Sequence, residues 1–227
     1  VDIGGLPARI DALMRVAVDT CGFFTPKVNL RVAGSNPQML LGRALVLSDA
    51  AHSFGATYGG KKIGGQADIT GFSFHAVKNL TTSEGGALAF RLPEPFDHAE
   101  LYKFFNTMSL HGQSKDALAK TEPGSWRYDV EFPGWKCNMT DIQAAMGLVE
   151  LDRYDNDTQP RRKAICARYA AAFGADTRFE PPMFQDAERE SSYHLYMLRI
   201  REATEVQRDA IITAIAQREV SVNVHFI

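Results

Sequence analysis

Asp68-Ile-Thr-Gly-Phe-Ser73-Phe-His75-Ala-Val-Lys78-Asn-Leu-Thr-Thr-Ser-Glu-Gly85-Gly86-Ala is the stretch on which the reading of this chain turns. Ile69 to Phe74 has the β-branched and aromatic content of a strand, and Ala87 to Phe90 reads as another. Between them runs the polar stretch Lys78 to Gly86, so Ser73 ends a strand and Lys78 lies just beyond it. Upstream, the apolar run Leu45-Val-Leu is followed at once by Ser48 and Asp49, the pattern of a short buried parallel strand. In an α/β sheet, polar residues at the carboxyl ends of strands face the ligand crevice. A carboxylate and an amine placed there suit chemistry or a plain salt bridge, and spacing alone favours the salt bridge.

Further out, helical periodicity covers Pro7 to Val18, Asp97 to Leu110, Thr140 to Tyr154, Pro160 to Phe173 and Ala203 to Arg218. Pro7 is a good first helical residue, and Thr140 suits an N-cap. Leu195 to Ile200 and the last eight residues, Val220 onward, read as strands, and Val1-Asp-Ile reads as a strand already under way. Asp19 to Arg43 breaks up around Pro26, Gly34, Asn36 and Pro37 and reads as a long loop or insertion. Strands alternating with helices predict an α/β layer over residues 1–159, with the start of a smaller α+β unit over 160–227. Beginning at Val1 and stopping at Ile227 inside a β-branched run, the chain is expected to be a piece of a longer protein.

The chain has 227 residues and a formal net charge of -2, which argues against bulk attraction to nucleic acid or an anionic membrane. No apolar run approaches bilayer length. Cys21, Cys137 and Cys166 are widely spaced and form no C-x-x-C pair, so reduced thiols in a cytoplasmic protein are expected. Gly55-Ala-Thr-Tyr-Gly-Gly60-Lys61-Lys62 approaches a P-loop but has Lys62 where a hydroxyl is needed for magnesium, and a glycine-rich hairpin with a basic tip is the better reading. Gly71-Phe-Ser73-Phe-His75 approaches a nucleophile elbow, but His75 stands where a small residue is required. The six histidines show no zinc-binding spacing, so no metal is expected.

The strings themselves say more than their spacing. Ser48-Asp49-Ala-Ala-His52-Ser-Phe-Gly55-Ala and the Asp68 to Ala87 stretch resemble the cofactor signature of the DegT/DnrJ/StrS-type sugar aminotransferases. The resemblance continues through Gly134-Trp-Lys-Cys-Asn138-Met-Thr-Asp141-Ile-Gln143-Ala-Ala and ends in Val224-His225-Phe-Ile. It implies a type I pyridoxal-phosphate (PLP) aminotransferase fold with a mainly parallel sheet in the large domain, normally a homodimer with sites at the subunit boundary. Family members extend further at both ends. The resemblance assigns Lys78 as the Schiff-base lysine and Asp49 as the partner of the PLP ring nitrogen. It puts Ser73 on the phosphate, His52 near the ring, and Asn138 on the phosphate of the neighbouring subunit's cofactor. His225 is implied near the sugar.

The implied reaction moves an amino group, from glutamate, to a nucleotide-linked keto-sugar. The sugar dehydratases of the same family carry histidine in place of the lysine, so Lys78 argues against that class. The alternative is a truncated or regulatory relative that keeps the fold without turnover. On residues alone, His52 also suits a hydrogen-bonded core histidine, Ser73 a turn cap, and Asn138 helix-start chemistry.

Overall fold

The computed structural model describes residues 1–27, 36–114 and 126–225. Residues 28–35 in the middle of the Asp19 to Arg43 stretch and the end of the last predicted strand lie outside them. The helices are α1 (Ile10–Asp19), α2 (Pro37–Leu41), α3 (His98–Ser109), α4 (Asp141–Arg153), α5 (Gln159–Gly174) and α6 (Glu205–Ala216). The strands are β1 (Leu47–Asp49), β2 (Thr57–Tyr58), β3 (Lys61–Lys62), β4 (Ile69–Ser73), β5 (Gly86–Phe90), β6 (Phe179–Glu180), β7 (Arg189–Glu190) and β8 (Arg199–Ile200).

The central sheet has the order β1-β4-β5. β1 runs parallel to β4, with Asp49 opposite Gly71, whereas β4 and β5 are antiparallel, with Ser73 opposite Gly86. The expectation of a mainly parallel sheet is thus corrected for the described residues: one pairing is parallel and one antiparallel. The physical reason is the connection, because residues 74–85 carry no crossover helix and the chain must turn straight back. That return is closed by Phe74 N–H to Gly85 O at 2.8 Å and Thr82 N–H to Phe74 O at 2.9 Å. Gly86 has to be glycine, since a Cβ there would meet the Phe72 carbonyl oxygen at 2.6 Å.

β2 and β3 form the expected hairpin, turning on Gly59 and Gly60 with φ of 58° and 74°, both in the left-handed region that a two-residue turn of this kind requires. β2 also pairs with β7, which carries residues 189–194 up to the central layer, and β6 pairs with β8 in a small separate sheet. α4, a π-helical turn (Tyr154–Thr158) and α5 follow one another without a break from Asp141 to Gly174. The Thr140 hydroxyl caps α4, and the Gln143 side chain returns to the Thr140 N–H at 2.9 Å.

Four expectations about single elements change. The first helix starts at Ile10 rather than Pro7, because the Ala8 N–H is drawn to the Asp2 carboxylate at 2.8 Å and the Pro7 carbonyl to Arg189 at 2.7 Å. Ile3 to Gly5 forms a 3-10 turn instead of a strand, with Asp2 N–H on the Asp49 carbonyl at 2.9 Å. Residues 220–225 adopt no strand conformation, since among the described residues nothing pairs with them, and of Leu195 to Ile200 only Arg199–Ile200 is a strand. No helix among the described residues is long and apolar enough to cross a membrane.

Candidate active site

The parallel pairing of β1 with β4 brings their carboxyl ends together. Asp49 is the last residue of β1 and Ser73 the last of β4. Asp49 is exposed, with Oδ1 accepting the Ala51 N–H at 3.1 Å. The Ser73 Oγ accepts a long bond from the His75 N–H at 3.4 Å, leaving its hydroxyl hydrogen to donate. Lys78 follows in the return loop, its backbone N–H bonded to the His75 carbonyl at 2.9 Å and its side chain half-buried. Among the described residues no ion pair joins Asp49 to Lys78, so the plain salt bridge that spacing favours is not formed.

Within electrostatic reach of both is a group of imidazoles. His52 sits on the turn after β1, with its ring 4.6 Å from that of His194 and 5.0 Å from that of His225. Burial pushes the His52 pKa down, the charges of Lys78 and His225 push the same way, and Asp49 opposes them. Carboxylate and amine thus both act on one ring. His194 is driven further, to about 3, by burial first and then by His52, Lys78, Arg162 and His225. Both rings are therefore neutral at pH 7.

The hydrogen bonds settle which nitrogen carries each proton. The Gly4 N–H donates to His52 Nδ1 at 3.3 Å, so neutral His52 has its proton on Nε2. The Phe54 carbonyl can only accept, so the Tyr154 hydroxyl donates to it at 2.5 Å and accepts from Asn79 Nδ2 at 3.3 Å. Asn79 Nδ2 also donates to the Ser192 carbonyl at 2.7 Å. That fixes the amide with Oδ1 toward His194 Nδ1 at 2.8 Å, and Nδ1 must carry the proton. Despite the three rings, no cluster of His, Cys, Asp or Glu among the described residues is arranged to hold a metal ion.

His194 and Asn79 were absent from the sequence-based set. Asn79 adjoins Lys78 and was open to notice, but its partner lies 115 residues away in Ser191-Ser-Tyr-His194, which no motif singled out. His225 joins the group through His52, in a segment that is not a strand. The hydrogen bonds of Asn138 go elsewhere: its N–H to the Ser109 carbonyl at 3.2 Å, its Nδ2 to the Met139 carbonyl at 3.3 Å, and its Oδ1 to Lys136. His75 faces outward toward Glu84 at 3.6 Å.

Residues 43–227 match the model of the DegT/DnrJ/EryC1/StrS aminotransferase family. The chain belongs to this family. It is 43% identical over 185 residues to the spore coat polysaccharide biosynthesis protein SpsC of Bacillus subtilis, a match that covers 80% of this chain and 46% of that protein. The PMP-form of the putative sugar aminotransferase Spr1654 from Streptococcus pneumoniae superposes with a TM-score of 0.89 at 43% identity, over 100% of this chain and 54% of that one. Its PLP-form gives a TM-score of 0.87 at 41% identity, over 99% of this chain and 53% of that one. Helicobacter pylori PseC, at 23% identity and a TM-score of 0.77, shares the fold over 100% of this chain and 51% of that one. The fold is therefore part of the type I aminotransferase fold, and the chain spans about half the length of the relatives it matches.

Proposed function

We propose that Lys78, Asp49 and Ser73 hold pyridoxal phosphate, and that the full-length protein transfers an amino group from glutamate to a nucleotide-linked keto-sugar. The observation that carries this reading is the unpaired amine and carboxylate: Lys78 and Asp49 act on the same His52 ring without forming an ion pair with each other. A carboxylate and a hydroxyl with a free hydrogen at two neighbouring strand ends, and an amine in the loop that follows, are the donor set this cofactor needs.

When bound, pyridoxal phosphate supplies an aldehyde that condenses with amines and a ring that withdraws electrons from the reacting carbon. The Asp49 carboxylate keeps a proton on the ring nitrogen by facing it as an anion. The Ser73 hydroxyl donates to a phosphate oxygen and so fixes the far end of the cofactor. Lys78 would supply the amine that holds the aldehyde, and its Nζ would be the base that moves the substrate proton. Neutral His52, protonated on Nε2, offers an N–H donor without adding a charge beside Lys78. In this reading Asn138 contacts the cofactor phosphate of a second subunit in a homodimer, and His225 approaches the sugar.

The test is to incubate the full-length protein with pyridoxal phosphate, glutamate and a panel of nucleotide-linked keto-sugars, and to follow 2-oxoglutarate and amino-sugar formation by mass spectrometry. Stoichiometric formation of both, abolished by Lys78→Ala, is expected. Cofactor binding without transfer to any sugar would favour the relative that keeps the fold without turnover.

A further inference from the structure

Lys78 and Asp49 both act on His52, yet little of its own holds that ring. Its ring nitrogen takes one long bond from Gly4, and its backbone carbonyl takes the Ser192 hydroxyl at 2.6 Å. One face lies against His194, tilted by 41°. His194, in contrast, cannot turn. It is only 9% exposed, its Nδ1–H is bonded to Asn79, and its carbonyl accepts from Arg162 at 3.3 Å. Asn79 is itself saturated by Tyr154, Ser192 and His194. The segment 192–195 is further bonded to the amino-terminal turn, through Ser192 N–H to Gly5 O at 3.0 Å and Leu195 N–H to Gly4 O at 3.2 Å. The rigid element is thus the 191–195 segment, clamped by the residue that follows Lys78.

We propose that His194, locked by Asn79, is a positioning residue that sets the His52 ring against Gly4 and thereby fixes what that ring presents to the Lys78 crevice. This rests on the proposed function only in calling the crevice a cofactor site; the geometry of the two rings stands apart from it. His194 touches neither Lys78 nor Asp49 by any hydrogen bond or ion pair, so it acts through His52. The charged and titratable groups facing the pair are Asp49 from the end of β1, Lys78 from the return loop after β4, Arg162 from α5, and His225. A neutral His194 ring covers the His52 face that would otherwise meet water, and water would favour protonated His52. Rotation of His52 away from Gly4 would free Nδ1 and let the proton exchange between the two nitrogens.

Nitrogen-15 NMR of the histidine side chains tests this directly, because the two ring-nitrogen shifts report tautomer and titration midpoint. In the unaltered chain, His194 is expected as the Nδ1–H form and His52 as the Nε2–H form. With His194→Ala, the His52 midpoint moves up toward the ordinary value of about 6.5 and its two tautomers mix. With His194→Phe, which keeps the ring contact, the midpoint stays low. Asn79→Ala leaves His52 buried but turns the His194 tautomer into a mixture. A His52 midpoint and tautomer indifferent to His194→Ala would overturn the proposal. If that variant does not fold, the unaltered chain still decides, since an Nε2–H form of His194 would overturn it equally. The two readings separate cleanly. No pyridoxyl adduct on Lys78 of the full-length protein, after incubation with pyridoxal phosphate and reduction with borohydride, removes the cofactor reading and leaves the histidine result standing; an adduct with an indifferent His52 removes the positioning role alone.

Discussion

Asp68→Asn is the substitution whose cost follows most directly from the structure. Asp68 is fully buried at the entry to β4, and its side chain and that of Arg43 are 1% and 11% exposed. Arg43 makes two bonds of 2.7 Å to the two carboxylate oxygens, and the Val46 N–H adds a third at 2.9 Å. Since Arg43 leads into β1, this pair ties together the starts of the two parallel strands that carry Asp49 and Ser73. Asparagine keeps the volume. Its best orientation leaves oxygen toward Arg43 Nη1 and Val46 N, and turns its NH2 against Arg43 Nη2, donor against donor. One charge-assisted bond is lost and a buried guanidinium loses its counter-charge. Breaking a buried pair in this way costs roughly 3–5 kcal/mol. At about 2–4 °C per kcal/mol for a chain of this size, Tm falls by roughly 6–20 °C.

The pH dependence of the same pair has a definite sign. Burial alone would raise the Asp68 carboxyl, but the Arg43 guanidinium and the Val46 N–H override it and hold its pKa below the usual value. The unfolded chain therefore takes up this proton first. The stabilisation is complete above a pH of about 4 and is lost as the pH falls through the folded value. Urea unfolding followed by circular dichroism from pH 7 down to 3 should show a lower midpoint for Asp68→Asn and a gap to the parent that narrows with acid. A gap under about 1 kcal/mol at pH 7, or one that stays constant through the acid range, would refute this reasoning.

Three further outcomes are expected. Gly55 has φ of +86°, and a Cβ there would stand 2.7 Å from the hydroxyl oxygen of buried Tyr154, so Gly55→Ala should cost roughly 2–6 kcal/mol from backbone strain and overpacking, read by thermal unfolding; near-neutral behaviour would contradict the packing described. Thr140→Ala removes the cap of α4 and should cost about 1 kcal/mol, whereas a loss of α4 helicity with no change in stability would contradict the capping role. His194 has a folded pKa of about 3, pushed down by burial and then by its cationic neighbours, against about 6.5 when unfolded. The unfolded state thus binds the extra proton, and stability is lost as the pH falls from about 6.5 toward 3. His194→Phe should flatten that part of the acid limb in urea titrations, and identical slopes would count against the burial of a neutral ring.

Local physics made much of this fold legible. The Thr140 cap, the helical periodicity from Asp97 and the glycine-rich hairpin each rest on neighbouring residues, and the structure returns a capped helix, a helix from His98 and a hairpin at those places. The strand ends bearing Asp49 and Ser73, and the loop bearing Lys78, could be read because two strands and a polar return loop are short-range features. What stayed hidden depends on partners far along the chain. Val220 to His225 has the composition of a strand, but composition does not supply a neighbour to pair with, and none pairs with it among the described residues. The Asn79 to His194 contact spans 115 residues, so no local pattern announces it. The direction of β5 was missed because hydrophobicity marks a strand without saying which way it runs.

The central claim is that Lys78 is the amine that carries pyridoxal phosphate. The most direct measurement is to add pyridoxal phosphate to the full-length protein, reduce with borohydride, digest and locate the added mass by peptide sequencing in the mass spectrometer. One pyridoxyl group per chain is expected, on Lys78, and none in Lys78→Ala. A folded full-length protein that carries the group on another lysine, or on none, would contradict it.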